Sequence, residues 1–311
     1  MKQKTLNLVL GAVALGLVAV AVLHKKQQDA KVDAERNGPP ITTLATAAID
    51  HIALHHNGAP DILLEKQAQH WRLTAPVAAD ADAVEVDALL RIATSPTRAT
   101  LDTAAIKRGE LGLDPPAATL RLNDTTITVG GLEPLKFTRY LEVDAGGASD
   151  HIVLVDDPGD RIFDADYSEL VAKNLLPMNA DIAAIDLPTL HIKRNASGAW
   201  EAEPAATGLG QDELQMFVDR WRQARSIGNG VLPADAAKDD SQAITITLAD
   251  GGTYHYRIAN RDGQLLLDAP ALNIRYRFPP TAVETMLQLP KPKAAEKPAE
   301  PATPAPAETK P

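Results

Sequence analysis

The sequence predicts an α+β protein of two tandem related lobes, each a mainly antiparallel sheet with helices on one face, preceded by one N-terminal transmembrane helix. Three observations predict it. An uncharged apolar run lies near the start of the chain. Short apolar–polar alternations are separated by turns rich in Asn, Asp and Gly. The order of elements in the first half also recurs in the second, including a tryptophan strand that runs into a proline: His70–Pro76, HWRLTAP, echoed by Ala199–Pro204, AWEAEP.

Composition sets the limits. With 311 residues, 45% of them hydrophobic, the chain can bury a core in each of two domains. Its formal charge is -10, from 41 acidic and 31 basic residues, and it has no basic stretch longer than Lys25-Lys26, which argues against nucleic acid as a partner. Without cysteine there is no disulfide, thiolate metal site or Cys nucleophile. An aromatic content of 4% disfavours a stacking platform.

Residues 1–5 read as a cytoplasmic start. Leu6–Leu23, LNLVLGAVALGLVAVAVL, carries no charge. At a rise of about 1.5 Å per residue it is about 27 Å long, close to the hydrocarbon thickness of a bilayer. It reads as a transmembrane signal anchor; the competing reading is a cleaved signal peptide with Ala19-Val20-Ala21 as the cut site. Lys2 and Lys4 nearly balance Lys25 and Lys26, so charge does not set the orientation. A leading anchor followed by a long acidic domain places the bulk of the chain outside the cytoplasm, on a single pass. Residues 24–40 form a stalk that ends in Asn-Gly-Pro-Pro, and 290–311 a disordered Pro- and Ala-rich tail.

Between these ends the first lobe takes residues 41–181 and the second 182–289. Ile49–Leu54 opens the first, and Ile182–Ile185 with Leu190–Ile192 opens the second. Turns follow at Asn57-Gly58 and Asn195–Gly198, then strands carrying Trp71 and Trp200, then loops at Pro76 and Pro204. A helix over about 83–93 sets Val84, Ala88, Leu89 and Ile92 on one face; a second, over about 212–225, does so with Leu214, Phe217, Val218 and Trp221. Hairpins over 119–129 and 244–258 come next, followed by strand pairs at 140–143 with 151–155 and at 265–268 with 273–278. Helical stretches closed by proline, Asn174–Pro177 and Leu287–Pro290, end the two lobes. Each repeated tryptophan sits where a large ring closes the gap between helix and sheet; the rival reading is a pair of ligand-stacking rings.

Candidate chemistry is sparse. His51, His55, His56 and His70 lie within twenty residues, yet His55 and His56 face opposite sides of a strand and His51 lies about 13 Å from His55, so they do not converge on one metal. Asp80–Asp87 lacks the glycine and terminal glutamate of a calcium loop; Asp82 with Glu85 reads as a helix N-cap. Asp156–Asp160 reads as a turn that ends a strand. No G-x-S-x-G, Walker A or H-E-x-x-H motif occurs. No catalytic, cofactor-binding or metal residue is therefore assigned, and no cofactor is expected.

Several elements in order carry a resemblance: the short anchor, Trp71–Pro76, the acidic helix start, Leu111-Gly-Leu-Asp-Pro-Pro116 before a Thr-Leu-Arg-Leu strand, the Val129–Gly131 turn and a tyrosine strand at Tyr140. Together, over about residues 45–289, they resemble the bacterial domain of unknown function 4340. Gly112–Pro115 is the most specific piece, and the second half has no counterpart before Ile244. The resemblance implies a single-anchor envelope protein, in some cases encoded beside ABC-transporter genes of the gliding-motility type, and supplies no catalytic residues. The expectation is a non-enzymatic accessory or scaffold protein that binds an envelope partner such as an ABC-type transport complex. A binding module for a small or lipid-like ligand between the lobes is the alternative, and an envelope hydrolase the third.

Overall fold

The computed structural model describes residues 38–102, 107–135, 137–145, 151–236, 240–260 and 262–291. Leu6–Leu23, most of the stalk and most of the tail lie outside them, and among the described residues no helix is long and apolar enough to cross a membrane. The described chain is α+β, with two mainly antiparallel sheets and few helices. It divides into two compact units. The first runs to Lys173 and includes Ile227–Ala234 and Ala269–Tyr276; the second takes Asn174–Ser226, Asp235–Asp268 and the residues from Arg277 onward.

The first sheet has nine strands: β1 (His51–His56), β2 (Ile62–Gln67), β3 (His70–Ala75), β4 (Ala79–Asp80), β5 (Thr97–Leu101), β6 (Ala118–Leu122), β7 (Thr125–Glu133), β8 (Thr138–Asp144) and β9 (His151–Asp156). Their order is β4-β3-β2-β1-β6-β7-β8-β9-β5. Alternation sets the register, because a one-residue slip would turn each apolar set to water. Ile62, Leu54, Leu120, Ile127 and Val143 consequently lie opposite one another across five strands. Each is at most 2% exposed, and burying each contributes about 1.5–3 kcal/mol.

Helix α1 (Ala83–Ile92) follows β4. Its cap is the expected one, with Asp82 accepting the Val84 N–H at 3.0 Å and Glu85 in the first turn. Its buried face is the expected one at Leu89 and Ile92, with Ala88 half-buried, but not at Val84. Val84 is 64% exposed, and the stripe is Val86, Leu89, Leu90 and Ile92. Val84 sits in the capped first turn and is left in water, and Val86 and Leu90 join Leu89 and Ile92 in its stead. Two short helices, α2 (Asp160–Asp164) and α3 (Tyr167–Leu170), come after β9.

The second sheet has eight strands: β10 (Ile182–Leu187), β11 (Leu190–Arg194), β12 (Trp200–Glu203), β13 (Gly228–Val231), β14 (Ala243–Leu248), β15 (Thr253–Asn260), β16 (Leu265–Ala269) and β17 (Ile274–Phe278). Helix α4 (Gln211–Arg222) follows β12, and α5 (Thr281–Leu287) follows β17. The order is β12-β11-β10-β14-β15-β16-β17-β13. With β4 set aside, it is the order of the first sheet. Trp71 stands opposite Lys66 as Trp200 stands opposite Arg194. The extra residue between Trp71 and Pro76 is Thr74, taken up by a register shift on β2–β3. Helix α4 buries Leu214, Phe217, Val218 and Trp221, all as expected, and the Glu213 carboxylate accepts the Gly210 N–H at 2.9 Å at its start.

The two tryptophans differ in burial. Trp200 is 4% exposed, donates from Nε1 to Gln215 Oε1 on α4 at 2.7 Å, and carries the Arg194 guanidinium 4.9 Å from its ring centroid. It joins sheet to helix as expected. Trp71 is only half-buried. Counting from each helix start, the place of Gln215 is taken on α1 by Asp87, which is exposed and one methylene shorter. At the outer side of β12 the Gln211 side chain accepts the Trp200 N–H at 2.7 Å and donates to the Trp200 carbonyl at 2.9 Å.

One expected helix is absent. Asn174–Pro177 is bridge and bend, with the Leu175 N–H bonded to the Ala224 carbonyl and Leu175 and Leu176 each 3% exposed. Burial of this apolar pair in an irregular segment replaces the helix read from it. Of the stretch Leu287–Pro290 only Leu287 is helical: it ends α5, and Gln288 is already extended.

Candidate functional site

The first unit carries an open recess of about 510 Å³ across β2, β1 and β6. Alternation on these strands sends His51 and Ala53, Leu63 and Glu65, and Arg121 to the side opposite the buried rows. Asp50, Ile52, Asn123 and Asp124 complete its lining. Asn123 holds the rim together. Its backbone has a φ of +52°, a left-handed conformation that Asn tolerates in a two-residue hairpin turn. From there its Oδ1 accepts the N–H groups of Asp50 at 3.0 Å and His51 at 3.1 Å, while Nδ2 donates to the Ala48 carbonyl at 2.8 Å. Arg121 donates to the Asn123 carbonyl at 2.9 Å and lies 3.7 Å from Asp124. Three carboxylates and one guanidinium at a shallow, wet surface can attract a polar or cationic group. They do not enclose one.

The four histidines separate as strand geometry requires. His51 lines the recess opposite Glu65. His55 pairs with Asp61, His56 is half-buried with its Nε2 enclosed, and His70 is exposed at the start of β3. Among the described residues no group of three or more His, Asp or Glu side chains is placed to hold a metal ion. The turn at Asp156 ends β9 and also carries two ion pairs that the sequence did not reveal. Arg98 pairs with Asp156, and its hydrogen bond holds that carboxyl below the usual carboxylate range. Asp157 accepts from Arg139 Nε at 2.7 Å.

The Gly112–Pro115 element is a seat rather than a site. Arg108 at the start of its 3₁₀ turn pairs with Glu142 on β8, Gly112 takes a φ of +67°, and Leu113 is 1% exposed. The turn presses against Gly130 and Gly131, where β7 shifts register. A Cβ at Gly130 would lie 2.6 Å from the Leu111 carbonyl oxygen and 3.0 Å from Leu113 Cδ2. Gly130→Ala is therefore expected to destabilise the folded chain by about 1–3 kcal/mol. Gly230→Ala, where nothing lies within 4 Å, is expected to stay within about 0.5 kcal/mol. Thermal unfolding of the two variants under the same conditions checks the contrast.

No curated protein and no solved structure matches the chain. A family model does, over residues 71–271, a span that starts at Trp71, contains the Gly112–Pro115 seat and the Gly130–Gly131 contact beneath it, and ends just before β17. It is narrower than the 45–289 expected, yet it covers most of the chain. The protein belongs to the family described as Domain of unknown function (DUF4340).

Proposed function

We propose that this protein is a non-enzymatic, single-pass envelope protein, anchored in a bacterial inner membrane by Leu6–Leu23. Its two lobes would act in the periplasm as a scaffold for another envelope protein, with an ABC-type transport complex as the partner. The observation that carries the reading is the uncharged eighteen-residue run ahead of two sheet-rich units. The lobes are taken as products of an internal duplication, with helices on one face of each sheet. Their common strand order, the matched tryptophan registers and the matched buried stripes of α1 and α4 support this.

A reporter active only in the periplasm, fused after residue 289, is expected to be active; an inactive reporter on a membrane-bound chain would refute export. Crosslinking of the full chain in native membranes is expected to yield an adduct with a transporter subunit. Recovery of the chain alone across several growth conditions would count against the scaffold reading.

A further inference from the structure

The hairpin between β7 and β8 carries three large apolar side chains in water: Leu132 at 42%, Leu135 at 87% and Phe137 at 77% exposure. Phe137 also holds a φ of +54°, a left-handed conformation uncommon for a bulky residue. Clustered apolar side chains at a protruding turn mark a contact surface. Glu133 and Lys136 lie in the same turn by sequence, while the acids beside it already have partners. Asp157 is paired with Arg139, Asp156 with Arg98, and Glu133 accepts from the Thr138 hydroxyl at 3.4 Å.

The strand register connects this tip to the start of the described chain. Leu132 lies opposite Arg139, Arg139 opposite Val155, and Val155 opposite Thr97. Thr97 in turn donates its N–H to the Pro39 carbonyl. Three strand spacings separate Pro39 from Arg139, about 15 Å. Beyond Gly38, residues 24–37 precede it and extend at most about 50 Å from the end of the apolar run. The tip is thus on the part of the first unit held nearest its tether.

We propose that Leu132, Leu135 and Phe137 insert into the interface of the lipid bilayer that holds Leu6–Leu23, giving the first unit a second membrane contact. This rests on the anchor reading above. A short amphipathic surface binds a bilayer weakly by itself, and a tether converts that weak affinity into a standing contact by raising its local concentration.

The absence of cysteine from the chain permits single labels. Full chains carrying Leu135→Cys, Asp124→Cys or Ala14→Cys are labelled with an environment-sensitive fluorophore and reconstituted in phosphatidylcholine vesicles containing nitroxide-labelled lipid. Asp124 is the control because it sits at the far end of β7, about 26 Å from the tip, with its side chain 99% exposed. Quenching at 135 is expected to exceed that at 124 by at least about threefold. Equal quenching at 135 and 124, with 14 quenched, overturns the tip contact and leaves the anchor. Quenching at 135 but not at 14 keeps the contact and removes the anchor; quenching at neither removes both. A label at 135 shielded from aqueous iodide yet beyond reach of lipid nitroxide shows that protein covers the tip, and also overturns the proposal.

Discussion

Replacing Trp221 by alanine is expected to lower the stability of the fold by about 3–5 kcal/mol. The ring is 0% exposed, on the buried stripe of α4, and its Nε1 donates to the Met286 carbonyl on α5 at 2.9 Å. Truncation removes the apolar contacts, leaves a cavity that a close-packed core only partly closes, and orphans a carbonyl 65 residues away. Trp71→Ala is the matched comparison, because its half-buried ring gives up less area and should cost about half as much or less. Denaturant unfolding of both variants measures the difference, and equal losses would mean that Trp71 is as deeply packed as Trp221.

Asp157→Ala is expected to cost about 3–5 kcal/mol, because the Arg139 guanidinium it faces is 5% exposed and cannot turn out to water. Arg139 keeps its 3.0 Å bond to the Gly130 carbonyl and its place 5.5 Å from the Phe163 ring centroid, which favours the lower end of that range. A buried pair is worth little against an apolar replacement of similar volume, so Arg139→Met with Asp157→Leu should recover much of the loss. Midpoints of chemical unfolding for the single and double variants close the cycle; a double variant no better than Asp157→Ala would place the loss in packing rather than charge.

The legible parts of the fold were those where local pattern and burial agree. The β6–β7 and β14–β15 hairpins combine alternation with Asn or Gly turns, and α4 has four large apolar residues at helical spacing, so both read correctly. Strands β5 and β13, TRATL and GNGV, did not read at all. As edge strands they bury little, so selection leaves no alternation on them. Asn174–Pro177 misled because an apolar pair before proline is equally suited to a helix end and to an irregular buried segment. The recess was not legible either. His51 and Asn123 meet across 72 residues of sequence, and Arg139 with Asp157 across 18, joined by sheet register rather than by any local motif.

The grip of Gln211 on both backbone groups of Trp200 bears on how copies of the chain avoid one another. Proteins held side by side at high density are prone to zip together through exposed strand borders. A side-chain amide already occupies the hydrogen-bonding groups that an incoming strand would need at β12, and Glu201 and Glu203 beside it would repel an identical neighbour. At Trp200 that margin of the second sheet is closed to strand addition.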